Sequence, residues 1–149
     1  MGVQSIVERR ANSIDKLNTL IETRTETLAL LNQLINMRPF DASEEIQTLL
    51  EEFCESLVDY TASAHFQLYR FIEEGRERRS DVSDLAKEIY PRIAAMTRDI
   101  LDFNEKYDSD VPLDDLSMLD RDLSRLGEVL ADRISEEDKI INLLIQARS

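Results

Sequence analysis

Residue types that commonly carry chemistry are scarce in this chain. It holds one histidine, His65, and one cysteine, Cys54. They stand eleven residues apart, which a continuous helix turns into about 16 Å of rise. They therefore cannot act on each other as nucleophile and base. Cys54 is flanked by Phe53 and Leu57 on an apolar helix face, the setting of a packed, inert thiol. A carboxylate di-iron bundle needs two Glu-x-x-His units and a structural zinc needs several Cys or His ligands; neither set is present. Phosphate-binding Gly loops and dinucleotide fingerprints are absent as well. Carboxylates are abundant, as in Glu51/Glu55 and Asp114/Asp115, but in so acidic a chain such pairs read as solvated surface. The expectation is a non-enzymatic chain with no cofactor and no metal, acting by binding another protein.

The elements that position these residues are helices. The 149 residues suit one domain, 1–149, and include only three Gly and three Pro, too few for the turns of a sheet. The fold class expected is all-α, an antiparallel four-helix bundle with long helices at about 4–37, 42–74, 81–107 and 112–147. In helix 1, Ser5 and Glu8 form a capping box. Ile14, Leu17, Ile21, Leu28, Leu31 and Ile35 make its apolar stripe, with Arg24 on the same stripe and Pro39 as the stop. Asp41 caps helix 2, with Glu44 at the reciprocal position. The core face of helix 2 is Ile46, Leu49, Leu50, Phe53, Leu57, Tyr60, Ala64, Leu68 and Phe71, and Gly75 ends it. Helix 3 presents Val82, Leu85, Ile89, Ile93, Met96, Ile100 and Phe103, and Pro91 is expected to kink or break it. Helix 4 starts at Pro112 and presents Leu116, Leu119, Leu123, Leu126, Leu130, Ile134, Ile141 and Leu144. Arg133 and Glu137, four residues apart beside that face, can pair. Gly127, within the helix, implies a close helix crossing.

The formal charge of −13 excludes direct nucleic-acid binding and an anionic membrane surface, both of which such a field repels. No apolar run approaches the roughly 20 residues of a membrane span, and the N-terminal segment has no signal-peptide core. A cytoplasmic location is expected, in keeping with a single cysteine. Acidity alone is open to two readings, solubility or steering of a basic partner. Its distribution is informative: between Pro39 and Gln67 there are seven acids and no Lys or Arg, including Asp41, Glu44, Glu45, Glu52, Glu55 and Asp59. Such a helix forgoes its own ion pairs and turns negative field outward. Asp59 lies two places from Leu57 and should leave the core stripe for a binding role. Tyr60, Ser63, His65 and Phe66 follow at once, small and polar residues beside aromatics. Tyr60 and His65 suit either packing within the bundle or a partner surface.

Three stretches carry a resemblance. Glu52-Phe53-Cys54-Glu55-Ser56-Leu57-Val58-Asp59-Tyr60, with Ser63-Ala64-His65-Phe66 after it, is similar to the signature helix of the Rsd/AlgQ family. Ile89-Tyr90-Pro91, followed by Ile93, Thr97, Ile100 and Phe103, resembles the family's proline-bearing third helix. Leu123-Ser124, Leu126-Gly127-Glu128 and Leu130, then Arg133 and Glu137-Asp138-Lys139, resemble its last helix. Helix 1 departs from the pattern, with Thr19-Leu20-Ile21 where family members carry Arg-Trp-Leu. The resemblance implies a cytoplasmic helical bundle, monomeric by expectation, that acts as an anti-sigma factor in stationary phase. Its partner would be the primary sigma factor of RNA polymerase, engaged at region 4, a basic helix-turn-helix that reads the −35 promoter element. Sequestration of sigma would lower housekeeping transcription. The alternative the resemblance implies is an interaction relay that binds a phosphotransfer carrier protein or stimulates a guanosine-tetraphosphate hydrolase. The partner-binding residues expected are Asp59, Glu52, Glu55, Tyr60, Ser63, His65 and Phe66, with Asp59 at the family position implicated in sigma binding.

Overall fold

The computed structural model describes the backbone of residues 2–41, 43–76, 80–107 and 116–146, and the side chains of 18–41, 43–68, 70, 83–107 and 116–143. Four helices follow one another: α1 (Gly2–Asn36), α2 (Glu44–Arg76), α3 (Ser80–Tyr107) and α4 (Leu119–Gln146). Consecutive helices pack side by side, and α4 returns to touch α1 and, across the bundle, α2. Cross-helix pairs set the directions. Thr27 of α1 meets Ser56 of α2, Phe53 of α2 meets Phe103 of α3, and Arg92 and Lys106 of α3 meet Glu136 and Asp122 of α4. Arg24 and Arg38 of α1 meet Asp138 and Asp120 of α4. Residue numbers rise on one helix as they fall on its neighbour, so the bundle is antiparallel, all-α as its composition requires.

The termini refine several expectations. α1 begins at Gly2, which places Ser5 inside the helix instead of at its cap. The cap of α2 is Ser43, whose hydroxyl accepts the amide of Ile46 at 3.3 Å, while Asp41 accepts the amide of Ser43 at 3.1 Å. Asp41 thus shapes the turn before the cap, two residues upstream of it. Gly75 does not stop α2; it lies within the helix, with no positive φ. α3 runs unbroken through Pro91. Pro91 and Lys87 are both exposed, which places the missing hydrogen bond on the solvent side of the helix. α4 begins at Leu119, after a turn in which the Leu119 amide donates to the Leu116 carbonyl at 3.1 Å; the expected start at Pro112 lies outside the described residues.

One hydrophobic cluster draws on all four helices. The expected face of α2 is the buried one from Ile46 to Leu68, with Leu49 half-buried. In α1 the buried side chains are Leu20, Thr27, Leu31 and Leu34, while Ile21 and Leu28 remain 39% and 38% exposed. Leu31 is buried as expected, whereas Leu20, Thr27 and Leu34 take the core positions expected of Ile21, Leu28 and Ile35, each one residue earlier. Apolar doublets such as Leu20-Ile21 and Leu34-Ile35 permit either phase, and Thr27 decides it. Its hydroxyl bonds the Thr23 carbonyl at 2.9 Å and the Ser56 hydroxyl at 2.8 Å, so it can be buried without loss. The close crossing expected at Gly127 is absent: a Cβ there would meet nothing within 4 Å.

Candidate protein-binding site

The outer face of α2 is built by helical spacing. Glu52, Glu55, Asp59 and Phe66 recur at intervals of three, four and seven, which lines them along one side of the helix. All four are exposed, and the Phe66 ring is 71% exposed. Opposite them, Phe53, Leu57 and Tyr60 are buried, so the same periodicity that buries one side delivers the other to solvent. Among the described residues, none forms an ion pair with Glu52, Glu55 or Asp59. Towards the start of α2 the stripe continues into an open hollow of about 690 Å³ lined by Glu44, Glu45, Leu49 and Glu52 of α2, by Gln33 and Asn36 of α1 and by Met37 just after it.

The residues named from sequence separate into two groups. Glu52, Glu55, Asp59, His65 and Phe66 share the surface, with the His65 ring edge-on to Phe66 at 5.9 Å, and Ser63 is half-buried at its margin. Tyr60 does not reach that surface. Its ring is in the core, and its hydroxyl donates to Glu137 of α4. The surface-anchor role foreseen for Tyr60 does not fit this placement; Phe66 is the exposed aromatic. Cys54 is fully buried and unavailable to His65. No cluster of three or more His, Cys, Asp or Glu suited to a metal occurs among the described residues, and no described helix is long and apolar enough to cross a membrane.

Beneath the acidic face lies a polar layer that sequence reasoning placed only at the edge of the core. Arg133 and Glu137 are 1% and 0% exposed, with Nε and Oε2 3.9 Å apart, an ion pair without a hydrogen bond between these two atoms, neither of which has another hydrogen-bond partner among the described residues. The Arg133 guanidinium donates to Thr97 of α3 and stands 5.9 Å from the centroid of the Tyr60 ring. Arg24 of α1 pairs with Asp138, the residue next to Glu137, at 2.9 Å. Burial raises the affinity of the Glu137 carboxyl for its proton, against the opposing pull of the Tyr60 hydrogen bond and of Arg133 and Arg24. Burial, then the charge of Glu137 and the hydrogen bond to it, pushes the Tyr60 hydroxyl far above the usual phenol range. The signal for this layer was present in the spacing. Leu119, Leu123, Leu126, Leu130, Arg133, Glu137 and Ile140 keep strict steps of four and three, so two charged residues occupy seam positions.

The sequence profile described as "Regulator of RNA polymerase sigma(70) subunit, Rsd/AlgQ" matches residues 1–145. The protein called Regulator of sigma D from Shigella boydii serotype 4 (strain Sb227) is 28% identical over 148 residues, 97% of this chain and 93% of the relative. Its namesake from Enterobacter sp. (strain 638) is 29% identical over 146 residues, covering 96% and 88%. That from Yersinia enterocolitica serotype O:8 is 29% identical over 144 residues, covering 93% and 86%. No solved structure gives a significant match. The chain belongs to the Rsd/AlgQ family, a regulatory and non-enzymatic family of regulators of the sigma(70) subunit of RNA polymerase.

Proposed function

We propose that this chain binds the primary sigma subunit at region 4 through the outer face of α2 and represses housekeeping transcription by sequestering it. The observation that carries the reading is a stripe of carboxylates without cationic partners among the described residues that leads to the exposed Phe66. A basic helix-turn-helix supplies the opposite charge, and the ring supplies an apolar anchor of the kind that dominates interface energies. Asp59 holds the central charge, Glu52 and Glu55 steer the approach, and Ser63 and His65 flank the anchor. Tyr60 contributes from inside the bundle. The mechanism is occlusion by mass action and needs no cofactor. Its test is a calorimetric titration of purified region 4 into the chain and into Asp59→Ala. The affinity should fall at least about tenfold, or about 1.4 kcal/mol, with helicity unchanged by circular dichroism. An undiminished affinity would remove Asp59 from the site and this reading with it.

A further inference from the structure

Asp59 and Tyr60 are adjacent, so about 100° of helix rotation separates the residue meant for the partner from the residue meant for the core. Rotation of α2 by one position would turn the acidic stripe away from solvent. Apolar packing resists such slips only loosely, since cores accept many hydrophobic arrangements of similar volume. Hydrogen bonds and ion pairs are directional and unforgiving when buried, because a misplaced partner leaves a desolvated polar group unmatched. The polar layer spans the bundle at the level of Asp59. α2 contributes Tyr60, α3 contributes Thr97, and α4 contributes Arg133 and Glu137. Arg24 of α1 locks Asp138 at its margin.

We infer that Tyr60, Arg133 and Glu137 are positioning residues, a polar key that fixes the rotation of α2 and thereby presents Asp59, Glu52, Glu55 and Phe66 to the partner. The inference rests on the reading of that face as the sigma-binding surface. On this inference the layer serves register before stability. Replacement of a buried ion pair by apolar residues of similar volume is often neutral or stabilising, whereas polar core groups serve in some proteins to specify one register. A layer that only held the fold together would leave binding untouched once it was replaced by well-packed apolar residues.

Label distances are read on the full chain with spin labels on cysteines introduced by Ala62→Cys on α2 and Glu128→Cys on α4, both exposed positions, with Cys54 in place, buried from the label; affinity is read on the chain without these two cysteines, because Ala62 lies between Asp59 and Phe66 on the face under test. The triple variant Tyr60→Phe/Arg133→Met/Glu137→Leu removes every charge of the key at once. The expected result is a thermal midpoint equal to or above that of the parent, a broadened or shifted distance between the labels, and a fall of about fivefold or more in affinity for region 4. A label distance as narrow and as placed as in the parent overturns the inference, and so does parental affinity in a folded triple variant. Should the triple variant not fold, Tyr60→Phe, which deletes only the hydroxyl, is read by the same two measurements. If the parent chain itself fails to bind region 4, the surface reading falls on that titration alone, while the label distances still decide whether the layer fixes α2.

Discussion

The hydroxyl of Tyr60 reaches across the bundle to the carboxylate of Glu137, joining α2 to α4, the pair of helices on the diagonal. A diagonal hydrogen bond sees both faces of α2 at once. It closes on the inner side while Asp59, one residue earlier, emerges on the outer side. Placement of the surface charge is therefore linked to chemistry in the core.

Phe66→Ala should weaken region 4 binding by about 1–2 kcal/mol, the loss typical of an aromatic anchor, with little change in the stability of the free chain, since the ring is largely exposed already. Parallel binding and thermal-melt measurements check both halves. A large drop in stability would mean that Phe66 serves the fold.

Association should be strongly salt-dependent. Stopped-flow rates for region 4 should fall steeply between low and physiological ionic strength, as they do where charge complementarity steers encounter. Dissociation rates should change less. A flat association rate would deny the acidic stripe its steering role.

Gly127→Ala should stabilise the chain by about 0.5–1 kcal/mol, because the added methyl finds open space and the helix loses an entropic weakness. A denaturant titration should show the midpoint rise without a change in slope.

Two carboxylates should shape the acid limb of stability with opposite signs. Burial raises the folded value of Glu137, so the folded state holds this proton more tightly than the unfolded state does. Stability from this group is greatest below the ordinary glutamate range and declines as pH rises through the raised value. Asp122 is the converse. Burial pushes its carboxyl up, but hydrogen bonds from Lys106 and Tyr107 and the charges of Lys106 and Arg121 outweigh it and hold it low. Its contribution is present above the ordinary aspartate range and lost as pH falls through the lowered value. Denaturant curves across this range should show Glu137→Gln losing the decline on the rising side and Asp122→Asn losing stability near neutrality only.

The face of α2 was legible because Phe53, Leu57, Tyr60, Ala64 and Leu68 form an apolar stripe with a single phase, and the acids fall opposite it. α1 was not, because Leu20-Ile21 and Leu34-Ile35 satisfy two phases equally and the deciding residue, Thr27, is polar and buried only by virtue of Ser56 on another helix. The same blindness hid the core placement of Arg133 and Glu137. A reading that assigns charge to the surface steps past them to Ile134, which is only half-buried, while Ile141 is buried as expected. The cap shifted from Asp41 to Ser43 because both can cap, and only the backbone path shows which hydroxyl or carboxylate meets the third amide. The exposure of Glu52, Glu55, Asp59 and Phe66 follows from the pattern of α2, whereas the hydrogen bond that Tyr60 makes inside the core required its partner on α4.

The exposed ring of Phe66 would be a hazard on an ordinary surface, since bare aromatics invite copies of a protein to stick to one another. Here it stands in line with carboxylates, so two copies meeting ring to ring would force their acidic stripes together. Like charge around the ring would oppose such a contact, and on the proposed function it would leave the apolar contact to a partner that brings cations. On the function proposed above, the same side chains that set like charge against ring-to-ring contact between copies would favour a cationic partner over the bare ring.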